Sequence, residues 1–117
     1  MYLNPTGTNP TGAVLPLARK RAIYRLACQY DMLILEDDPY YYMQFGEERV
    51  ASFLSLDSER RVMRFDSLSK VLSSGIRLGF MTGPKPLVDR VVLHLQVSTL
   101  HASSLSQVCS ECLTSKA

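Results

Sequence analysis

Residues 32–39 read Met-Leu-Ile-Leu-Glu-Asp-Asp-Pro, an apolar run that changes abruptly to acidic residues and a proline. Short continuous apolar runs are typical of parallel strands that are covered on both faces. Pro39 has no amide hydrogen for a strand ladder, so the strand is expected to end before it. The stretch therefore predicts a buried strand over 32–35 that carries acidic side chains at its carboxyl end.

A helix is predicted immediately before this strand, from about residue 16 to residue 30. Its apolar side recurs with helical spacing at Ile23, Leu26, Ala27 and Tyr30. Its basic residues are expected to form the opposite, solvated face: Arg19, Lys20, Arg21 and Arg25.

Two further strands are predicted over 61–66 and 78–82, on either side of a loop rich in serine and glycine. A second long helix is expected from Leu87, because Leu87, Val91 and Leu95 are spaced four residues apart. Strands that alternate with helices indicate an α/β layered fold.

Composition narrows the range of partners. The chain has 117 residues, a formal net charge of +2 and no apolar run of membrane-spanning length. This size suits one small domain, and the weak positive charge does not favour nucleic acid. Cys109 and Cys112 have the C-x-x-C spacing of zinc and redox sites, but no second pair accompanies them. We therefore predict no metal site, no nucleic acid partner and no membrane partner.

The loop after residue 66 reads Ser67-Leu68-Ser69-Lys70, with Arg77 seven residues after the lysine. A lysine amine can form an imine with an aldehyde, and hydroxyls with a guanidinium can hold a phosphate. Pyridoxal 5'-phosphate carries both an aldehyde and a phosphate. The loop therefore predicts a pyridoxal phosphate site with Lys70 as its catalytic residue. The phosphate ligands are expected to be Ser67, Ser69 and Arg77.

The acidic end of the first strand offers an anion for the pyridine nitrogen of the same cofactor. A carboxylate there keeps the nitrogen protonated, so that the ring can withdraw electrons. Asp37 and Asp38 both qualify, and strand alternation places them on opposite faces without choosing between them. Asn9 and Tyr40 carry an amide and a phenol that can donate to the ring oxygen.

Three motifs together resemble one family. They are Asn-Pro-Thr-Gly at 9–12, Glu-Asp-Asp-Pro-Tyr-Tyr at 36–41, and Ser-Leu-Ser-Lys at 67–70 with Arg77. The set is similar to the fold-type I, class I/II pyridoxal phosphate aminotransferases. The sequences at 83–87 and 96–101 resemble those of family members that act on kynurenine and 2-aminoadipate. The resemblance runs to about His101, and the tail 102–117 diverges from it.

The resemblance implies a role for each candidate residue. Lys70 would be the Schiff-base lysine, and the Asp-x-x-Tyr spacing to Tyr40 selects Asp37 to pair with the pyridine nitrogen. Tyr40 and Asn9 would contact the ring oxygen. The phosphate would be bound by Ser67, Ser69 and Arg77.

The resemblance also implies the wider setting. Residues 1–117 would be an incomplete part of the large pyridoxal phosphate-binding domain, a three-layer α/β/α structure with a mostly parallel sheet. The whole enzyme would be a mitochondrial or cytoplasmic homodimer that transaminates an amino acid with a 2-oxo acid such as 2-oxoglutarate. Because family members are several times longer, this chain is expected to be a fragment that is inactive alone. The alternative is a non-catalytic isoform or regulatory module that binds the cofactor or only dimerises.

The family pattern matches the Asn-Pro-Thr-Gly copy at 9–12, whereas the family has different residues at the copy at 4–7. The first copy is therefore expected to be a chance loop sequence.

Overall fold

The computed structural model describes residues 1–46 and 48–114. Its elements, in chain order, are β1 (Tyr2–Leu3), α1 (Leu17–Gln29), β2 (Ile34–Asp37), α2 (Phe53–Leu56), β3 (Val62–Ser67), β4 (Gly79–Thr82), α3 (Lys85–Ser98) and α4 (Ser104–Thr114). Short 3-10 turns at Tyr41–Met43 and Ser74–Ile76 follow β2 and precede β4. No helix in these described ranges is both long and apolar enough to cross a membrane.

The strands form one sheet in the order β1-β2-β3-β4. β1, β2 and β3 run parallel, and β4 pairs with β3 in the antiparallel direction. This arrangement confirms the α/β class with a mostly parallel sheet. The strands predicted over 61–66 and 78–82 are confirmed with small shifts at their ends, as is the helix expected from Leu87.

β2 begins and ends two residues later than the apolar run predicts. Its ladder with β3 continues to Asp37, which lies opposite Phe65. Glu36 is fully buried in the strand because its carboxylate has partners: it accepts hydrogen bonds from the backbone amides of Phe53 (2.6 Å) and Leu54 (3.0 Å). These are the first amides of α2, so Glu36 caps a short helix that is distant in sequence.

Only one face of β2 is fully covered in the described part of the chain, which corrects the prediction of a strand buried on both sides. Ile34 and Glu36 are fully buried on that face, whereas Leu35 and Asp37, on the other face, are only half-buried. The covered face packs against α1 and α2. The core cluster consists of Tyr24, Ala27, Ile34, Phe53 and Val62.

The predicted apolar stripe of α1 is confirmed for Ile23 and Ala27, which pack in the core, but not for its other members. Lys20, expected in solvent, is fully buried, while Leu26 and Tyr30 from the predicted apolar stripe are exposed. The Lys20 amine donates to the carbonyl of Ala51 at 2.8 Å, and its attraction to the acidic end of β2 partly offsets the cost of burial. Burial still lowers the pKa of Lys20.

Cys109 and Cys112 lie exposed on α4. Within residues 1–46 and 48–114, no three or more His, Cys, Asp or Glu side chains are grouped so that they could hold a metal ion.

The tight pairing of β3 with β4 can be tested at Gly79. A Cβ atom there would lie 2.6 Å from the backbone oxygen of Asp66, so Gly79→Ala must displace one strand. We expect a loss of about 1–3 kcal/mol in the free energy of unfolding, measured by urea titration. Gly75→Ala is the control, since its nearest new contact, the Ser73 hydroxyl, is 3.7 Å away. Equal unfolding midpoints for the two variants would contradict this packing.

Candidate functional site at the carboxyl edge of the sheet

The carboxyl ends of β2 and β3 lie side by side because the two strands are parallel and in register. The turn after β2 carries Tyr40, and the turn after β3 carries Lys70. The Lys70 amine lies 5.8 Å from the centroid of the Tyr40 ring, in cation–π geometry. The sheet therefore brings together two predicted site residues that come from separate motifs.

The loop that carries Lys70 is a compact turn. The backbone amides of Val71 and Leu72 both donate to the carbonyl of Leu68, at 3.2 and 2.9 Å. The amide of Leu68 in turn donates to the carbonyl of Leu78, just before β4. Lys70 is exposed at the tip of this turn, with its amine free of any ion pair in the described structure.

The Arg77 guanidinium lies beside Ser69, another predicted phosphate ligand. Its guanidinium Nη1 donates to the Ser69 hydroxyl and to the Ser74 carbonyl, both at 3.3 Å. Arg77 has a left-handed backbone, with φ of 54°, which is uncommon for a residue with a side chain. Ser67 is the last residue of β3 and pairs with Gly79. A guanidinium, hydroxyl groups and a fixed turn form a suitable cradle for an anion.

Asp37 is the last residue of β2 and lies on the face opposite the buried Glu36. The Tyr2 hydroxyl donates a hydrogen bond to Asp37 Oδ2. The Asn4 amide nitrogen donates to the Asp37 backbone carbonyl at 2.8 Å. The hydrogen bond to the carboxylate raises the pKa of the Tyr2 phenol above its usual 10.0.

Sequence reasoning missed both Tyr2 and Asn4. β1 has two residues, which is too short for any periodic pattern to reveal. The usable signal was the Asn-Pro-Thr-Gly copy at 4–7. A turn-forming sequence marks the end of a strand before it, and a strand parallel to β2 would end beside Asp37.

Asp38 points into the protein, away from Asp37. Its side chain is fully buried and lies 3.6 Å from Arg64 Nη1. Burial raises the pKa of Asp38 to about 6, and the nearby Thr6 hydroxyl and Arg64 guanidinium only partly offset this. Arg64 also binds Asp66 with two hydrogen bonds, at 2.8 and 2.7 Å, and lies 4.2 Å from the centroid of the Tyr41 ring. Asp38 thus belongs to an interior ionic cluster beneath the site.

Tyr40 packs against the first Asn-Pro-Thr-Gly copy. Gly7 has φ of 60°, and a Cβ there would lie 3.4 Å from Tyr40 Cβ. Residues 4–7 therefore support the site through both Asn4 and Gly7, which corrects the expectation of a chance loop. Asn9 is exposed in the next turn, which is closed by a Thr8–Ala13 bridge. The structure thus leaves the Asn9 amide available, but does not bring it into contact with Tyr40.

The chemistry of these groups fits pyridoxal phosphate. An exposed amine, a guanidinium paired with a hydroxyl, and a strand-end carboxylate all lie at one edge of the sheet. Ligands of open α/β sheets gather at this edge. The fold and the donor set are therefore those expected of a pyridoxal phosphate-binding protein of the α/β class.

Comparison with known proteins identifies the family. Residues 5–116 match the family model "Aminotransferase class I and II". The chain is 58% identical, over 108 residues, to the mitochondrial kynurenine/alpha-aminoadipate aminotransferase of Bos taurus. That alignment covers 92% of this chain and 25% of the bovine protein. The chain therefore belongs to the class I and II aminotransferases, which confirms the family predicted from the motifs, and it spans about a quarter of the length of its curated relatives.

Solved structures agree with this assignment. The aminotransferase Aro8 from Candida albicans superposes with a TM-score of 0.92 and 39% identity, covering 98% of this chain and 28% of that one. The alpha-aminoadipate aminotransferase LysN from Thermus thermophilus gives a TM-score of 0.91 and 32% identity, covering 96% of this chain and 30% of that one. The LysN crystal contains N-(5'-phosphopyridoxyl)-L-leucine, which supports the predicted cofactor.

The buried position of Asp38 predicts a pH-dependent stability. Its pKa of about 6 in the folded chain exceeds the ordinary 3.8, so the folded state holds the proton more tightly than the unfolded state. This stabilisation is complete below about pH 4 and is lost as the pH rises through about 6. Between these limits, the free energy of unfolding of wild type should fall by up to about 3 kcal/mol relative to that of Asp38→Asn, which cannot titrate.

Urea unfolding of both proteins at several pH values measures this difference, and titrations that they share cancel. A difference in unfolding free energy that stays constant from pH 4 to pH 7 would show that Asp38 is not a buried titrating group.

Proposed function

We propose that this chain supplies the lysine-bearing part of an aminotransferase site. The reaction moves an amino group from a kynurenine-like or 2-aminoadipate-like amino acid to a 2-oxo acid such as 2-oxoglutarate. The observation that carries the proposal is the convergence of Lys70 with Tyr40 and of Ser69 with Arg77 at one sheet edge. The names of the bovine and Thermus relatives support the substrate class.

Each candidate residue has a stated role in this proposal. Lys70 holds the cofactor through its amine, and Asp37 pairs with the pyridine nitrogen. Tyr40 and Asn9 donate to the ring oxygen. The phosphate is bound by Ser67, Ser69 and Arg77. When bound, pyridoxal phosphate supplies the aldehyde that accepts the amino group and the ring that withdraws electrons from the substrate carbon.

The protein's own contribution is to position groups and to move a proton. Lys70 Nζ would move the proton at the substrate carbon, acting first as a general base and then as a general acid. The Tyr40 ring holds this amine near the sheet edge. Arg77 would anchor the phosphate independently of Lys70.

We further propose that residues 1–117 form a fragment of the large domain and do not complete the site alone. The support is that the chain aligns with only about a quarter of its curated relatives. On this basis the chain binds the cofactor but transaminates weakly or not at all. The complete enzyme is proposed to be a homodimer in mitochondria or cytoplasm.

Lys70 is the residue to test first. The chain is incubated with pyridoxal phosphate, reduced with borohydride and digested, and the modified peptides are identified by mass spectrometry. We expect the phosphopyridoxyl group on Lys70 at low cofactor concentration, and its loss from that peptide in Lys70→Ala. Lys85→Ala is the matched control, because Lys85 is also exposed but lies on α3 in an ion pair with Asp89.

Labelling spread evenly over Lys70 and Lys85 would overturn the assignment of Lys70. Specific labelling without any transamination, in the chain and in a longer protein that contains it, would favour the non-catalytic alternative.

Arg77 offers a test of the phosphate cradle. Arg77→Ala should weaken binding of pyridoxal phosphate roughly ten- to hundredfold, since charge-assisted hydrogen bonds contribute about 1.5–3 kcal/mol each. Binding of pyridoxal, which lacks the phosphate, should hardly change. Fluorescence titration with the two ligands gives both values, and Arg90→Ala, an exposed arginine on α3, serves as control. An equal loss for both ligands would mean that Arg77 acts on folding rather than on phosphate.

A further inference from the structure

Tyr2 and Asp37 are joined by a side-chain hydrogen bond between β1 and β2. Tyr2 lies opposite Leu35 in the parallel β1–β2 pair, so its side chain shares a face with Leu35 and Asp37. From there the phenol reaches along β2 to donate to Asp37 Oδ2. On the same strand side, Asn4 donates to the Asp37 backbone carbonyl. β1 and the loop after it therefore hold Asp37 at both its carboxylate and its main chain.

The hydrogen bond from Tyr2 occupies Oδ2 and leaves Oδ1 of the Asp37 carboxylate available. An ionised carboxylate accepts hydrogen bonds at both oxygens, and a donor fixed on Oδ2 restricts rotation of the whole group. Within residues 1–46 and 48–114, Asp37 forms no ion pair, so its charge is not neutralised by a cation of the described structure. Asp38, one residue on, faces Arg64 in the interior instead.

The contact is not a by-product of core packing. Tyr2 is 63% exposed, and its ring does not belong to the core cluster. The hydrogen bond between the two side chains therefore sets the orientation of both the Tyr2 phenol and the Asp37 carboxylate.

We propose that Tyr2 is a positioning residue that orients the Asp37 carboxylate and presents Oδ1 to the pyridine nitrogen of the cofactor. This inference rests on the proposed role of Asp37. Tyr2 itself does not touch the cofactor in this account. Its hydrogen bond restricts rotation of the Asp37 carboxylate before the cofactor binds. Less conformational entropy is then lost on binding, which is a form of preorganisation.

The first test uses the cofactor-free chain. Tyrosine labelled with ¹³C at the ring carbon that bears the hydroxyl reports phenol ionisation by NMR. Because the hydrogen bond to Asp37 holds the pKa of Tyr2 above its usual value, Asp37→Asn should lower that pKa. Asp38→Asn, which changes the neighbouring carboxyl on the opposite face, should leave it unchanged. A Tyr2 titration unaffected by Asp37→Asn would overturn the contact and the inference with it.

The second test is a double-mutant cycle on pyridoxal phosphate binding. Tyr2→Phe should weaken binding roughly three- to tenfold, the effect expected of one hydrogen bond. Tyr30→Phe, at a tyrosine of almost equal exposure at the C-terminal end of α1, should have no effect. In an Asp37→Asn background, Tyr2→Phe should cause no further loss, because Tyr2 acts only through Asp37.

The possible failures are distinguishable. If Lys70 is labelled and Asp37→Asn weakens binding, but Tyr2→Phe binds as wild type, the positioning role is overturned and the proposed function stands. If Tyr2→Phe weakens binding equally in both backgrounds, Tyr2 acts independently of Asp37, and the inference is again overturned. If Asp37→Asn binds the cofactor as wild type does, the role of Asp37 fails and the inference fails with it.

Discussion

The opposite orientation of two adjacent carboxylates at the end of β2 is the constraint on which the rest of the site depends. Asp38 points into the protein, 3.6 Å from Arg64, and Asp37 points to the open face, where Tyr2 donates to it. Alternation along a strand makes this separation unavoidable once one residue is fixed. Because Asp38 lies on the interior face, Asp37 lies on the opposite, open face.

The same cluster ties the elements of the site together. Arg64 binds Asp66 on its own strand, contacts Asp38 at the end of β2 and stacks on Tyr41 in the turn that follows. Buried charges are costly unless they are paired, and removing one partner leaves the others without compensation. The turn that carries Tyr40 is thereby anchored to β3, the strand that leads to Lys70. An ionic cluster beneath the sheet edge thus supports the candidate site on it.

Much of this can be predicted from the sequence, because local signals and topology agree. The strands on either side of the lysine loop are predicted close to their observed bounds, and parallel pairing of β2 with β3 brings Lys70 to Tyr40. What the sequence does not predict depends on partners distant in the chain. The prediction that Lys20 is solvated is wrong, because the sequence around it does not indicate that the Ala51 carbonyl accepts a hydrogen bond from its amine. The predicted end of β2 is too early because the burial of Glu36 depends on two amides of α2. Tyr2 escapes prediction because a two-residue strand has no period.

The central claim is that Asp37, and not Asp38, serves the cofactor, and one measurement addresses it most directly. The ¹⁵N chemical shift of labelled pyridoxal phosphate reports whether its ring nitrogen is protonated. In the cofactor-bound chain at neutral pH, the prediction is a protonated nitrogen in wild type and in Asp38→Asn, and an unprotonated nitrogen in Asp37→Asn. An unprotonated nitrogen in Asp38→Asn together with a protonated one in Asp37→Asn would contradict it.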